Sequence, residues 1–281
     1  MSNFPIYRGL KSGKCGWEQK FRSATLTENL QVLETREFSL WDVKNVAKYA
    51  REPGHKFDPT SSLSVPPFED IFFEWLDWDG QNYGCAITQN EDDEWWIYPF
   101  YLHPQARMPV VGPIYERWWF RDGFLVPTEI NGVKQRGRTC LVAGINPDDP
   151  DLEFWDYWSR FCGNIAIIAF MFCHCKNVDL VERLPRRHEQ RQATRKGEPI
   201  LKYHEIVIDP NRTYANSETV KSSVNKPTRA LHIARGHFAT YSEEKPLFGK
   251  YAGTFWIPAH MRGNKEFGEV KSTYRVKAVA S

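Results

Sequence analysis

The residues best suited to chemistry lie near the C-terminus, in the segment 232–263. This segment holds three of the eight histidines, two arginines, two tyrosines and a tryptophan. Metal-free cleavage of RNA needs a neutral imidazole to take the 2′-hydroxyl proton, a proton donor for the leaving oxygen and a cation for the phosphate. Imidazole suits both proton transfers because its pKa lies near neutrality. The candidate catalytic residues are His237, His260, Arg235, Arg262 and Tyr241.

A β-hairpin would bring these side chains onto one face of a sheet. Alternate residues of a strand share a face, so Arg235 lies on the same face as His237. We expect the hairpin to pair His237 with Trp256 and Ile233 with His260, which gathers two histidines and two arginines. A shift of this pairing by one residue breaks the cluster. The alternative is structural: the same residues then fix the geometry of the turns and take no part in chemistry.

A second group of residues is basic and lies in the segment 183–196. Five arginines and a lysine fall within these fourteen residues. This is too much charge for a core element, so the segment is predicted to be a basic arm or flexible loop, mobile in the free protein. Guanidinium groups bind phosphate bidentately, and we expect the segment to bind nucleic acid. The candidate binding residues are Arg183, Arg186, Arg187, Arg191, Arg195 and Lys196.

The formal net charge of +2 conceals an uneven distribution along the chain. Residues 177–281 contain 19 Lys and Arg against 11 Asp and Glu, a balance of +8. Residues 1–176 contain 18 against 24, a balance of −6. A basic half beside an acidic half favours contact with a polyanion. The alternative is a solvated basic face without a ligand.

Metal and cofactor chemistry has little support in the sequence. Residues 173–175, Cys-His-Cys, cannot readily converge from a helix, where positions i and i+2 point to different sides. Five carboxylates form an alternative two-metal nuclease cluster, which is disfavoured because such sites combine carboxylates from separate strands with a lysine. These are Glu69, Asp70, Glu74, Asp77 and Asp79. P-loop, dinucleotide-binding, zinc-protease and serine-hydrolase motifs do not occur, so we expect neither metal nor cofactor.

The distribution of apolar residues argues against a membrane protein. The longest apolar run, 165–173, has nine residues, and a helix that spans a bilayer needs about 20. The N-terminus has no apolar run before a small-residue cleavage site, which argues against a secretory signal. The six cysteines show no paired spacing and are expected to be reduced. The sequence therefore predicts a cytoplasmic protein without membrane contact.

The elements that must position these residues are predicted to form an α+β fold. It would have mainly antiparallel β regions around a long central helix, with a helical N-terminal piece. We expect an irregular or extended lead-in at 1–20 and helices at 26–34 and 40–51, the latter capped by Ser39. Alternating apolar runs between Asp-Gly and Asn-Gly turns predict strands at 71–78, 83–88, 95–102, 116–125 and 139–143. Apolar residues at 3–4 spacing predict the central helix at 152–176. Later strands are predicted at 201–208, 230–241, 254–262 and 270–276.

The change in pattern near residue 150 divides the chain into two regions. Residues 1–150 are predicted to form an acidic, aromatic-rich α+β region. Residues 151–281 would contain the central helix and a basic C-terminal β region. The chain has 11 tryptophans, and such side chains fill cores more often than they line partner surfaces.

A resemblance to known proteins rests on three segments. They are CKNVDLVE at 175–182, GEPILKYH at 197–204 and HIARGHFATYSEEKPLFGKYAGTFWIPAHMRG at 232–263. Over about residues 173–265 the chain resembles uncharacterised proteins encoded by tailed bacteriophages, prophages and related mobile elements. The resemblance implies a phage or prophage product in a bacterial host, with no established activity.

Two functions of different classes follow from these observations. The first is a phage-encoded protein that interacts with nucleic acid, RNA being favoured, with metal-independent RNA cleavage as its candidate reaction. The alternative is a non-enzymatic protein that inhibits a host defence complex, such as an anti-CRISPR protein. The acidic, aromatic-rich N-terminal half favours the alternative, because it could fill a groove on a partner protein.

Overall fold

The structure is a computed structural model that describes most of the chain. The described residues are 4–17, 24–51, 66–77, 79–90, 94–105, 108–121, 124–130, 133–135, 137–142, 145–208, 230–234, 236–247, 249–257, 260–262 and 264–269. Contacts divide the chain into two compact units. The first comprises Met1–His174 and Asp179–Val207, and the second comprises Cys175–Val178 and Ile208–Ser281. The long helix belongs to the first unit, and residue 150 as a boundary between folding regions stays a prediction.

Helices and strands both contribute to the fold, as the sequence predicts, so the α+β class is confirmed. The helices of the described residues are α1 (Pro5–Lys11), α2 (Ala24–Thr35), α3 (Lys44–Arg51), α4 (Asp151–Cys173) and α5 (Arg187–Lys196). Along the described part of the chain, no helix is both long and apolar enough to cross a bilayer.

The first unit is built on one mixed sheet. The strands of the sheet are β1 (Gly16–Trp17), β2 (Ser39–Asp42), β3 (Asp70–Leu76), β4 (Asn82–Gln89), β5 (Glu94–Leu102), β6 (Pro109–Val111), β7 (Ile114–Arg121), β8 (Phe124–Leu125), β11 (Arg138–Leu141), β12 (Val178–Arg183) and β13 (Tyr203–Ile208). A small separate hairpin consists of β9 (Thr128–Ile130) and β10 (Val133–Gln135). The order is β1-β6-β5-β4-β3-β2-β13-β12, and β7 pairs with β5, β8 and β11. Strands β3, β4, β5 and β7 pair antiparallel. Strand β2 pairs in parallel with both β3 and β13.

One face of the sheet packs against α4. The Phe170 ring lies 5.9 Å from the ring of Phe73 and 6.5 Å from that of Trp41, measured between centroids. The apolar half of α4, 165–172, is entirely buried, which confirms the prediction that this part of the helix cannot face water. Burial of an apolar helix face is the main source of such a helix's stability.

The opposite face of the sheet packs against α1. Phe72 neighbours Phe73 along β3, so their rings lie on opposite faces, and the Tyr7 ring of α1 lies 5.4 Å from that of Phe72. At the same face the ring of Phe4 lies 5.5 Å from that of Tyr203 in β13. Helix α1 therefore lies over the part of the sheet where β3 and β13 flank β2.

Two expectations for the N-terminal segment are wrong. The expected lead-in at 1–20 contains α1, because its apolar side chains are buried against the sheet. The expected helix at 40–51 is a short strand followed by α3, which starts at Lys44. Ser39 does not cap it; its hydroxyl accepts a hydrogen bond from the Trp41 indole, and Asp42 Oδ1 accepts the Lys44 N–H instead.

The second unit contains two sets of strands. They are β14 (Ala230–Ala234), β15 (His237–Tyr241), β16 (Gly253–Ile257), β17 (His260–Arg262) and β18 (Asn264–Glu269). Strands β15 and β16 pair antiparallel over a small core of Leu247, Phe255 and Ile257. Strand β14 pairs with β17 and β18. The strand expected at 270–276 lies outside the described residues.

Candidate nucleic-acid interface

The basic segment 183–196 is a strand end and a helix, not an irregular loop. The Arg186 N–H donates to Glu189 Oε2 at 2.8 Å, which holds the first turn of α5. Gly197 ends the helix with a φ of +68°, a left-handed conformation that glycine adopts without strain. Ala193 is buried and docks the helix on the first unit. The prediction of an irregular loop is therefore wrong, because local hydrogen bonds and one small buried residue suffice to form α5. Mobility of the segment in the free protein stays a prediction.

Three arginines of α5 line one exposed face. Arg187, Arg191 and Arg195 follow an i, i+4, i+8 spacing, which places them along one side of the helix over about 12 Å. All three are exposed and border a shallow groove of about 400 Å³ together with Ile200. Within the residues that the structure describes, none of the three forms an ion pair with a carboxylate, so their charge is available to a ligand.

The remaining predicted binding residues lie around this face and differ in their contacts. Arg183 ends β12 and pairs with Glu205 through Nε and Oε2 at 3.0 Å. Arg186 is exposed and precedes the first helical residue. Lys196 occupies the last helical position and lines a different, larger groove that α1 also borders.

Sequence reasoning missed the cations in α1 and just after it, because it assigned no helix to 1–20. Arg8, Lys11 and Lys14 line the same groove as Lys196. Arg8 donates to Glu198 Oε2 and to the Pro199 carbonyl, both at 3.1 Å. The signal was present: a proline at the first helical position followed by cations three residues apart.

The predicted catalytic cluster depended on a register that the structure does not have. His237 pairs with Ile257, and Phe238 pairs with Trp256. Directly opposed residues share a face, so His237 and Trp256 lie on opposite faces of this hairpin. In the other strand pair His260 opposes Ala234, whereas Ile233 opposes Met261. The expected register is wrong by one residue, and such a shift moves every second side chain to the other face of the hairpin.

The individual catalytic candidates have separate environments. His237 is exposed at the start of β15. Tyr241 is half-buried, and its ring packs 6.1 Å from that of Phe255 in the small core of the second unit. His260 and Arg262 lie in β17. Arg235 lies outside the described residues, and a joint catalytic role for the five stays a prediction.

Metal-ligating side chains do not converge among the residues that the structure describes. Burial raises the pKa of the Cys175 thiol to about 12, which disfavours the thiolate that metals bind. Asp70 pairs with Arg36 at 2.8 Å, and Glu74 accepts hydrogen bonds from backbone amides of α1. These contacts give the acidic residues of β3 structural partners.

Several tryptophans of the N-terminal half form core. Four tryptophans are less than 2% exposed: Trp41, Trp75, Trp118 and Trp155. Their rings pack between the sheet and α4, as the 6.1 Å separation between Trp75 and Trp158 illustrates. These buried rings offer no contact to a partner protein.

Comparisons with known proteins do not extend the assignment. The chain matches no protein-family model, no curated protein and no solved structure.

Proposed function

We propose that the protein binds nucleic acid through the exposed face of α5. The observation that supports this is the row of Arg187, Arg191 and Arg195, exposed and without acidic partners in the part of the chain that is described. Guanidinium groups donate two parallel hydrogen bonds to a phosphate, so a row of them suits a repeating phosphodiester. Successive arginines one turn apart lie about 6 Å from each other, a spacing suited to neighbouring phosphates of one strand.

The local charge balance supports the same proposal. Residues 183–202 contain seven Lys and Arg against two Glu, a balance of +5. Both glutamates have structural contacts: Glu189 binds the backbone of Arg186, and Glu198 pairs with Arg8. The positive charge of α5 is therefore concentrated on its exposed face, where it attracts a polyanion most strongly at low salt.

RNA is the first ligand to test, and cleavage is not part of the proposal. Cleavage relied on the pairing of His237 with Trp256, and the structure pairs His237 with Ile257. Phage origin and inhibition of a host defence complex stay predictions that no contact in the structure favours over nucleic-acid binding.

The test is the salt dependence of binding to a single-stranded RNA of 12 nucleotides. The slope of log K against log salt is about −0.7 per contacted phosphate for single strands. Removal of three phosphate contacts should therefore flatten the slope by about 2. The variant is Arg187→Ala/Arg191→Ala/Arg195→Ala, and the matched control, which removes three exposed cations elsewhere, is Arg121→Ala/Arg138→Ala/Lys250→Ala.

A wild-type slope in the α5 variant would overturn the proposal, as would an equal change in the control variant. A third measurement uses vesicles that contain phosphatidylserine. Stronger binding to these vesicles than to RNA would show that the basic face recognises anionic lipid and would also overturn the proposal.

A further inference from the structure

A groove separate from the α5 arginine row lies between α1 and the end of α5. It has a volume of about 830 Å³, within the range of small-molecule sites. The residues that line it include four cations and two carboxylates: Arg8, Lys11, Lys14, Lys196, Glu37 and Glu198. Arg195 borders the exposed α5 face and its neighbour Lys196 borders this groove, so the two surfaces meet at the last turn of α5.

Two of the four cations are already bound to protein groups. The guanidinium of Arg8 is held by Glu198 and by a backbone carbonyl. The ammonium group of Lys11 donates to the carbonyls of Glu34 and Arg36, at 2.7 and 2.9 Å. These contacts fix the groove walls and leave little of that charge for a ligand.

Lys14 and Lys196 are different. Both are exposed and line the groove, and neither has an ion pair or hydrogen-bond partner of its ammonium group among the residues that the structure describes. Two such ammonium groups together match a ligand with about two negative charges.

The walls of the groove are preformed. Helix α1 is held at its first turn by the buried carboxyl group of Glu74, whose oxygens accept the N–H groups of Ile6 and Tyr7. A Cβ at Gly9 would overlap Cγ of Pro109, so only glycine permits this close contact with β6. Arg8 ties α1 to the loop that follows α5. A ligand therefore meets an ordered site, which lowers the entropy cost of binding.

We infer that this groove binds a phosphate monoester, either a mononucleotide or the 5′-phosphate end of a nucleic-acid strand. A monoester carries a charge between about −1.5 and −2 at pH 7, whereas an internal phosphodiester carries −1. Only a terminal group can enter the groove end-on with its full charge, and Lys14 and Lys196 are the lining cations left to meet it. Recognition of a strand end rests on the proposed function, since the α5 face would hold the rest of the strand.

The test compares the affinities of one 12-nucleotide RNA with a 5′-phosphate and with a 5′-hydroxyl. At pH 7.5 the wild-type protein should bind the phosphorylated RNA about fivefold or more tightly. The variant Lys14→Ala/Lys196→Ala should bind both forms equally, and the control Lys245→Ala/Lys250→Ala should keep the preference. The preference should also shrink at pH 5.5, because the monoester loses most of its second charge below its second ionisation near pH 6 and no histidine is among the groove-lining residues that the structure describes.

Uridine 5′-monophosphate separates the two sources of the phosphate. If the mononucleotide lowers the affinity for the 5′-phosphorylated RNA to that of the 5′-hydroxyl RNA, the groove is a mononucleotide site. If the mononucleotide does not compete and the preference for the phosphorylated RNA is retained, the groove is a strand-end site. Equal wild-type affinity for both RNA ends, with no calorimetric binding of the mononucleotide, would overturn the inference.

Failure of the proposed function gives a different pattern. The α5 triple variant would then bind both RNAs as tightly as wild type does. If the wild-type protein binds neither RNA, direct titration with uridine 5′-monophosphate tests the groove by itself. The wild-type protein should then bind the mononucleotide, and the lysine double variant should not.

Discussion

Replacement of Glu74 by glutamine should change how the stability of the protein depends on pH. The Glu74 side chain is fully buried beneath α1. Burial raises the pKa of its carboxyl from 4.5 to about 8, and the hydrogen bonds from the Ile6 and Tyr7 amides offset only part of this effect. The neighbouring carboxylate of Asp42 acts in the same direction as burial.

The sign and size of the effect follow from linkage between protonation and folding. The folded protein binds this proton more tightly than the unfolded chain does, so the stabilisation is complete below about pH 4.5. It is lost as the pH rises from 4.5 to 8. A difference of 3.5 pH units between the two pKa values corresponds to about 5 kcal/mol in the free energy of unfolding, with a slope near 1.4 kcal/mol per pH unit.

Glutamine keeps the size of the side chain and removes its ionisation. The free energy of unfolding of Glu74→Gln, measured by urea denaturation and tryptophan fluorescence, should therefore lose this slope between pH 5 and pH 8. As the pH rises from 5 to 8, the free energy of unfolding of the variant should increase by about 4 kcal/mol relative to that of the wild type. The control is Glu69→Gln, which changes an exposed carboxylate just before the same strand. Parallel curves for wild type and Glu74→Gln would refute the argument, because Glu74 would then be ionised in the folded protein at pH 5.

Three smaller changes test other parts of the structure. Gly9→Ala should cost about 1–3 kcal/mol, because its Cβ must displace Pro109, and it should lower both the melting temperature and the preference for phosphorylated RNA; an unchanged melting temperature would contradict the packing. Asn177→Ala removes two hydrogen bonds to the backbone of Trp256 and should cost about 1–3 kcal/mol for each unsatisfied group, seen as faster hydrogen exchange of the Trp256 amide. His237→Ala should leave stability within about 0.5 kcal/mol and RNA equally intact in wild type and variant; loss of a cleavage activity would restore the catalytic hypothesis.

The parts of the fold that could be predicted are those with local signals. The strands predicted at 71–78 and 83–88 occur as Asp70–Leu76 and Asn82–Gln89, because an Asp-Gly turn and alternating apolar residues specify a hairpin within one short stretch. The central helix was predicted for the same reason: its apolar stripe repeats over six turns.

The parallel neighbours of β2 could not be predicted. Ser39 pairs with Ile71, and His204 pairs with Trp41, so three segments far apart in sequence form adjacent strands. No local pattern specifies such partners, since their choice depends on which apolar surfaces remain uncovered once the hairpins and α4 have formed. The strand at 39–42 was therefore assigned to a helix on the strength of its apolar spacing.

The candidate site could also be predicted only in part, because the sequence does not specify which distant segments lie next to each other. The sequence identified the arginines at 187, 191 and 195 correctly as a concentration of charge, because charge can be counted. It did not identify α1 as their neighbour, because the groove arises only when Arg8 reaches Glu198 across 190 residues. The histidine cluster had residues of the right type but depended on an assumed pairing, which is the least predictable property of a hairpin with a long loop.

A final prediction distinguishes a docked helix from the flexible arm that the sequence suggested. Ala193 is the buried residue of α5, and the cavity that it lines with Phe4 and Leu201 has about 30 Å³ of space, room for about two water molecules. Glutamine at this position cannot fit, so Ala193→Gln should detach the helix while it keeps every arginine. The salt slope of RNA binding should then remain that of wild type, because it counts phosphate contacts. Affinity at fixed salt should fall at least about tenfold, since each side chain that must be ordered on binding costs about 0.5–1.5 kcal/mol. The exposed neighbour provides the control, Gln192→Ala, which should bind as wild type does. Wild-type affinity in Ala193→Gln would mean that charge alone, displayed on a mobile segment, accounts for binding, and that the docked geometry of α5 contributes nothing to it.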